Sequence, residues 1–267
     1  MTARVTPAAN RWADLKPRLL SALVMIGIGA VEIWLGGWWF LLLITLLTAV
    51  MIWELARLTA PDAKAVALAI AAVAAACLLA DEGWPSVSAW LVFPLVPLVF
   101  LITPRRVQMV SAALSVAILV AGHGLFVLRD EQGTAAMLWL LGVVVVSDVM
   151  GYFAGRILGG PKFWPAISPK KTWSGTVAGW LGAAGLGLWF VQQGYGSLWL
   201  VALSPVVAFA GQMGDIAESW LKRRVGAKDS SHLIPGHGGV MDRFDALVGA
   251  MVLVMLLTRI FPLPIGG

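Results

Sequence analysis

The segment from Ser219 to Asp245, SWLKRRVGAKDSSHLIPGHGGVMDRFD, concentrates residues able to do chemistry. Lys222, Arg223 and Lys228 supply cations, and Asp229, Asp242 and Asp245 supply carboxylates. Carboxylate oxygens suit a hard cation, while ammonium and guanidinium groups suit phosphates. The ProGlyHisGlyGly run from Pro235 to Gly239 offers a turn whose backbone can wrap an anion or a metal. Asp242 and Asp245 lie three residues apart, on one face of an incoming helix whose N-terminal end favours negative charge. Helix capping accounts for one of them. It does not account for both together with Lys222 and an upstream Asp215.

A second polar stretch, GRILGGPKFWPAISPKKTWSGT, runs from Gly155 to Thr176. Lys170 and Lys171 precede Thr172, Ser174 and a helix start, so cations, hydroxyls and free helix N–H groups could converge there on phosphate. The carboxylates need helices to carry them. Gly211, Gly214, Asp215, Glu218, Ser219 and Lys222 recur at helical spacing on one face, as do Asp148, Gly151, Tyr152 and Gly155. Two such helices could meet through their glycines and aim carboxylates into one cavity. Glu32, Glu54 and Asp62 are expected to do no more than pair with a neighbouring Lys or Arg.

Those helices are membrane helices. The chain is 60% hydrophobic and 12% charged, with a mean hydropathy of +0.87, whereas soluble domains are roughly 45–50% apolar. One cysteine, Cys77 in an Ala-rich run, allows no intrachain disulfide or cysteine-based zinc site and is expected to pack in the interior. The basic start resembles a signal peptide, but its apolar run continues through Leu35 without a clear cleavage site, so it is expected to remain as a first span.

A span takes about 20 apolar residues, and nine runs of that order emerge: Leu19–Leu35, Trp38–Leu55, Ala65–Ala80, Val87–Thr103, Val107–Leu128, Thr134–Ile157, Thr172–Gln192, Ser197–Leu221 and Phe244–Phe261. The fourth should kink at Pro94 and Pro97. Only helices leave no backbone group unpaired in hydrocarbon. The expected fold is therefore all-α: a polytopic membrane protein of about nine helices forming a single embedded domain over 1–267. Residues 1–130 would form N-terminal transmembrane helices, and 131–267 a catalytic half with two polar loops.

Charge placement tests that topology. With a cytoplasmic N-terminus and nine crossings, 17 of the 19 Lys and Arg fall in cytoplasmic segments, and only Arg129 and Arg259 fall outside. This matches the positive-inside rule, sets the C-terminus outside, and puts both polar loops on the cytoplasmic side. Trp34, Trp38, Trp39, Trp84, Trp90, Trp189 and Trp199 cluster near outer ends, and Trp53, Trp164, Trp173 and Trp220 near inner ones, as interfacial anchors do. The small residues from Gly175 through Gly187 read as a close helix-packing face, which would also permit a homodimer. His123, on an apolar face, reads as a satisfied interior histidine, and His232 as a loop residue.

The order Ser219, Lys222-Arg223, Lys228-Asp229, ProGlyHisGlyGly, Asp242-Arg243 and Asp245 resembles, without mismatch, the signature of the phosphatidate cytidylyltransferases, or CDP-diacylglycerol synthases. Asp148 to Arg156 and SerProLysLysThr from Ser168 to Thr172 are also similar to that family. The similarity covers roughly the second half of the chain. Ser174 departs from it, standing where the family pattern has Glu.

The resemblance implies transfer of the cytidylyl group of CTP to phosphatidate, giving CDP-diacylglycerol and pyrophosphate for phospholipid synthesis. The lipid phosphate is already anionic, so the difficulty lies in bringing two polyanions together, and catalysis should be mainly positioning and charge neutralisation. Magnesium is the implied cofactor, with room for a second cation. On that reading Asp215, Asp242 and Asp245 form the metal centre and Asp148 is a further candidate ligand. Lys170, Lys171, Lys222, Arg223, Lys228 and Arg243 share the CTP phosphates and lipid headgroup, Ser219 and Asp229 orient them, and His237 is a turn residue or phosphate contact. The implied location is a bacterial inner (cytoplasmic) membrane, with the active site on the cytoplasmic side and no nucleic-acid partner.

Three other readings stay open, of which a purely structural membrane protein explains the spans but not the polar loop. A secondary transporter of an anionic solute could use intramembrane aspartates, yet no internal repeat relates the two halves. A CDP-alcohol phosphotransferase would carry four closely spaced aspartates around an AspGly and Ala-Arg core, which this chain lacks.

Overall fold

The computed structural model describes residues 15–83, 89–234 and 238–265. It is mostly helical, and among the described residues six helices are long and apolar enough to cross a membrane. The chain opens with α1 (Leu15–Leu35) and α2 (Gly37–Thr59), separated at Gly36 and Gly37, both at positive φ. Next come α3 (Lys64–Gly83), α4 (Ala89–Val92), α5 (Leu95–Ile102), α6 (Gln108–Glu131) and α7 (Gly133–Ile157). A hairpin of β1 (Lys162–Trp164) and β2 (Ser168–Thr172) precedes α8 (Trp173–Gln192), α9 (Trp199–Val225) and α10 (Met241–Thr258).

Two expectations need correction. The fourth run is not one continuous span: Pro94 lacks the N–H a continuing helix needs and caps α5, so the helix breaks between Val92 and Leu95. At about 1.5 Å per residue, the eight residues of α5 cannot cross hydrocarbon alone. The fold is also not purely α. The polar stretch after α7 pairs antiparallel, Lys162 with Thr172 and Trp164 with Ser168. In a strand, neighbouring side chains point to opposite faces, and that alternation separates Lys170 from Lys171.

Two apolar cores hold the helices. One gathers Trp139, Leu140, Val143, Ala183, Phe190, Leu200, Val207, Ala250 and Met251 from α7 to α10. The other gathers Ile52, Leu55, Ile70, Cys77, Phe100, Leu119, Leu221 and Met241, joining α2, α3, α5 and α6 to the facing ends of α9 and α10. Phe244 and Val248 pack against both. Cys77 is buried as expected, and His123 pairs with Asp81 at 2.8 Å.

The glycine faces set how closely the helices approach. A Cβ on Gly151 would lie 3.3 Å from the Gly175 carbonyl oxygen, so α7 and α8 touch backbone to backbone. A Cβ on Gly249 would strike the Ala210 carbonyl and lie 2.8 Å from Gly214 Cα, so α10 and α9 do the same. The two glycine faces seen in the sequence thus pack against different partners, α7 on α8 and α9 on α10, rather than on each other.

Candidate active site

The close approach of α9 and α10 places acidic residues side by side. The α9 face carrying Gly211 and Gly214 continues into Asp215, Glu218 and Lys222, while α10 presents Asp242 and Asp245. Glu218 and Asp215 are both near enough to Asp245 for the carboxylates to repel one another. Asp245 Oδ1 also accepts from the Ala246 N–H at 2.7 Å. Neither Glu218 side-chain oxygen has a hydrogen bond of good geometry, although Lys222 approaches one of them.

Two lysines hold this acidic patch from opposite sides. Lys171, at the end of β2, reaches Asp215 Oδ2 at 2.5 Å, and Ser219 donates to Asp215 Oδ1 at 3.2 Å. Lys222 lies between Glu218 Oε2 at 2.6 Å and Asp242 Oδ1 at 2.5 Å. The Glu218 and Asp242 side chains are each 5% exposed and Lys222 is 10% exposed, whereas Asp215 keeps 30%. Water and small anions can therefore reach Asp215 but hardly Asp242. Asp148, exposed on α7, is close enough to feel the charges of Lys171 and Asp215.

Asp242 is fully occupied. Beyond Lys222, its Oδ2 accepts from the Ser230 N–H at 2.8 Å, the Ser230 hydroxyl at 2.9 Å and the Gly239 N–H at 2.8 Å. Burial alone would raise this carboxyl, but the Lys222 ammonium and the two backbone N–H groups outweigh it and hold it at about 2. It is a fixed anion that ties the loop to the start of α10.

Sequence reasoning missed two residues here. Helical spacing marks Glu218 only as a member of the α9 face, without a role. Glu54 was expected to pair with a basic neighbour; instead it accepts from Ser231 Oγ (2.5 Å), Met241 N–H (2.6 Å), Val240 N–H (2.9 Å) and Ser230 Oγ (3.3 Å). These partners lie 176 to 187 positions away along the chain, so no local pattern could have marked them.

The other expected residues lie at the surface. Lys170, Arg223, Lys228, Asp229 and Arg243 are exposed, and Arg223 donates to the Ala227 carbonyl at 3.4 Å. His237, with Pro235 and Gly236, lies outside the described residues. Thr172 caps α8 by accepting from the Gly175 N–H at 3.2 Å, and Ser174 donates to the Gly159 carbonyl at 2.5 Å. Both hydroxyls thus serve the hairpin-to-helix junction.

Two cavities adjoin the charges. An apolar groove of about 460 Å³ runs between α6, α9 and α10, with Glu218 and Asp245 in its lining. A cleft of about 730 Å³ lies under the hairpin, lined by Trp164, Trp220, Arg223 and Arg224 among others. Met213 and Ala217 line both. Among the described residues, no three His, Cys, Asp or Glu side chains are gathered as ligands of one ion. The donor set is nonetheless all hard oxygen, and Glu218, whose oxygens lack a well-formed hydrogen bond, shares the single ammonium of Lys222 with Asp242. Magnesium usually takes one or two carboxylates and completes its shell with substrate phosphates, so these residues fit such an ion.

Residues 16–261 match the Cytidylyltransferase family. A phosphatidate cytidylyltransferase of Brucella abortus is 34% identical, over 94% of this chain and 96% of that protein. One from Helicobacter pylori is 44% identical over 50% of this chain and 51% of its own length. One from Staphylococcus haemolyticus is 34% identical over 58% and 62%.

Proposed function

The chain belongs to the cytidylyltransferase family, and from that premise we propose that its site transfers the cytidylyl group of CTP to phosphatidate, yielding CDP-diacylglycerol and pyrophosphate. The observation that carries this reading is the junction of a lysine-bound acidic array with an apolar groove between membrane helices. A water-soluble nucleotide needs the first and a diacyl lipid needs the second. Membership of the cytidylyltransferase family does not favour a transporter.

In the reaction a phosphate oxygen of phosphatidate bonds to the α-phosphorus of CTP, and the bond to the bridging oxygen breaks, so that pyrophosphate leaves with the electron pair. No proton need be removed from the nucleophile. The chain's work is to neutralise and align. Lys222 is buried and Lys171 half-buried, and both are fixed by their carboxylate partners. Lys170, Arg223, Lys228 and Arg243 would collect the phosphates at the surface, and Asp229 would orient those cations. The lipid's acyl chains would lie in the α6, α9 and α10 groove, its headgroup reaching the arginines past Met213 and Ala217.

Asp215 and Asp245 would hold magnesium, with Glu218 completing the acidic patch and Asp148 at its edge. Bound there, the ion would offset charge on the reacting phosphates. Asp242, with every oxygen engaged, is assigned to hold Lys222 and the loop in place rather than to ligate.

Nine crossings, with the N-terminus cytoplasmic and the C-terminus outside, remain the topology we favour, with α4 and α5 together taking the fourth. Arg106 donates to the Val225 carbonyl at 3.0 Å, and its N–H bonds the Thr59 carbonyl. The C-terminal ends of α2 and α9 and the start of α6 therefore share one end of the bundle, which supports a common cytoplasmic side in a bacterial inner membrane. Gly175, Gly179, Gly182 and Gly187 of α8 pack within the chain, whereas Gly185 faces open space and could take part in a homodimer contact.

The test is incorporation of labelled CTP into lipid by purified protein. Label should enter the organic phase only with phosphatidate present and in step with pyrophosphate release. Absence of lipid-bound label, with both substrates and magnesium supplied, would reject the reading.

A further inference from the structure

We propose that Glu54, in the N-terminal half of the chain, is a positioning residue for the catalytic loop between α9 and α10. It is wholly buried toward the end of α2, yet its four hydrogen-bond partners among the described residues all belong to the segment 230–241. Two of those partners, the Val240 and Met241 N–H groups, are free donors at the start of α10, where a helix favours negative charge. Glu54 thus caps from another helix an end that its own residues leave uncapped.

The same carboxylate explains Gly239. A Cβ there would lie 2.5 Å from Glu54 Oε1 and would also strike the Ser230 hydroxyl. Only a residue without a side chain lets the loop close over Glu54 while the Gly239 N–H still reaches Asp242. The Ser230 hydroxyl approaches both Glu54 and Asp242, so the two carboxylates share one clasp. Asp242 in turn holds Lys222. Glu54 acts on the reacting groups through this chain of contacts, without touching substrate.

The kinetic part of this inference rests on the cytidylyl-transfer reading; the structural part does not. Glu54→Gln, Glu54→Asp and Ser231→Ala are compared with the parent protein by steady-state kinetics, thermal unfolding and hydrogen–deuterium exchange. Glu54→Gln keeps the volume but turns a donor toward N–H groups that need an acceptor, so kcat should fall about ten-fold or more. Unfolding should change little by comparison, and KM for CTP should move less than kcat. Glu54→Asp should recover part of the rate, and Ser231→Ala, which leaves the α10 cap intact, should cost about two- to five-fold. Exchange in 228–241 should rise in Glu54→Gln and not elsewhere in the bundle.

Unchanged exchange in that segment overturns the proposal, as does kcat within two-fold of the parent. Equal loss of rate and stability in Glu54→Gln and Glu54→Asp, with Ser231→Ala unaffected, reduces Glu54 to a packing role and also overturns it. If the parent itself makes no CDP-diacylglycerol, the functional reading fails while the exchange data still decide the role of Glu54.

Discussion

Lys222 stands 2.5 Å from Asp242 and joins the end of α9 to the start of α10 through a pair that is almost sealed from water. Glu218, one turn back on α9, approaches the same ammonium at 2.6 Å. One cation thus compensates two buried carboxylates, and the geometry of the site depends on it.

Replacing Lys222 with Met should leave both carboxylates buried without a counter-charge, a change that typically costs about 3–5 kcal/mol. The variant is expected to unfold at lower temperature in detergent and to lose turnover by more than about 100-fold. A melting curve that matches the parent would contradict the burial of this pair.

The acidic residues should separate by phenotype. Asp215→Asn and Asp245→Asn are expected to abolish magnesium-dependent product formation while leaving thermal stability near that of the parent. Asp242→Asn should lower stability as well, because it loosens Lys222, Ser230 and Gly239 together. Magnesium titrations of product formation, read beside unfolding curves, distinguish the two classes. Near-normal turnover in both Asp215→Asn and Asp245→Asn would remove them as ligands.

Adjacent lysines should behave unequally. Lys171 reaches Asp215 and Lys170 faces solvent on the other side of β2. Lys171→Ala should cut kcat by about 100-fold, whereas Lys170→Ala should raise KM for CTP by only a few-fold, about what a screened surface charge contributes. Equal effects would show that the strand alternation does not decide their roles.

Acid should weaken the Asp242 clasp in a defined window. Its folded pKa of about 2 lies below the ordinary 3.8, so the stabilisation is present above pH 3.8 and is lost as pH falls toward about 2. The shift corresponds to about 2 kcal/mol. The stability advantage of the parent over Asp242→Asn should therefore shrink between those pH values and stay constant above them, as followed by thermal unfolding.

Much of this was legible in the chain itself. Composition made a membrane protein unavoidable, because 60% hydrophobic residues in recurring runs have no soluble arrangement. The carboxylates, cations and glycines between Ser219 and Asp245 marked the candidate site proposed here, since they sit on one loop and two helix ends where spacing along the sequence is close to spacing in space. Pro94 announced a kink for the same local reason, although the helix in fact breaks there.

Tertiary structure decided what local period cannot reach. It chose Lys171 over Lys170 by pairing β2 with β1, and it paired the glycines of α9 with α10 rather than with α7. It brought Glu54 from α2 to cap α10, and it saturated Asp242 while leaving Glu218 under-bonded. Periodicity reports which face a side chain occupies. Only packing, in which each helix fills the space its neighbours leave, determines what that face meets.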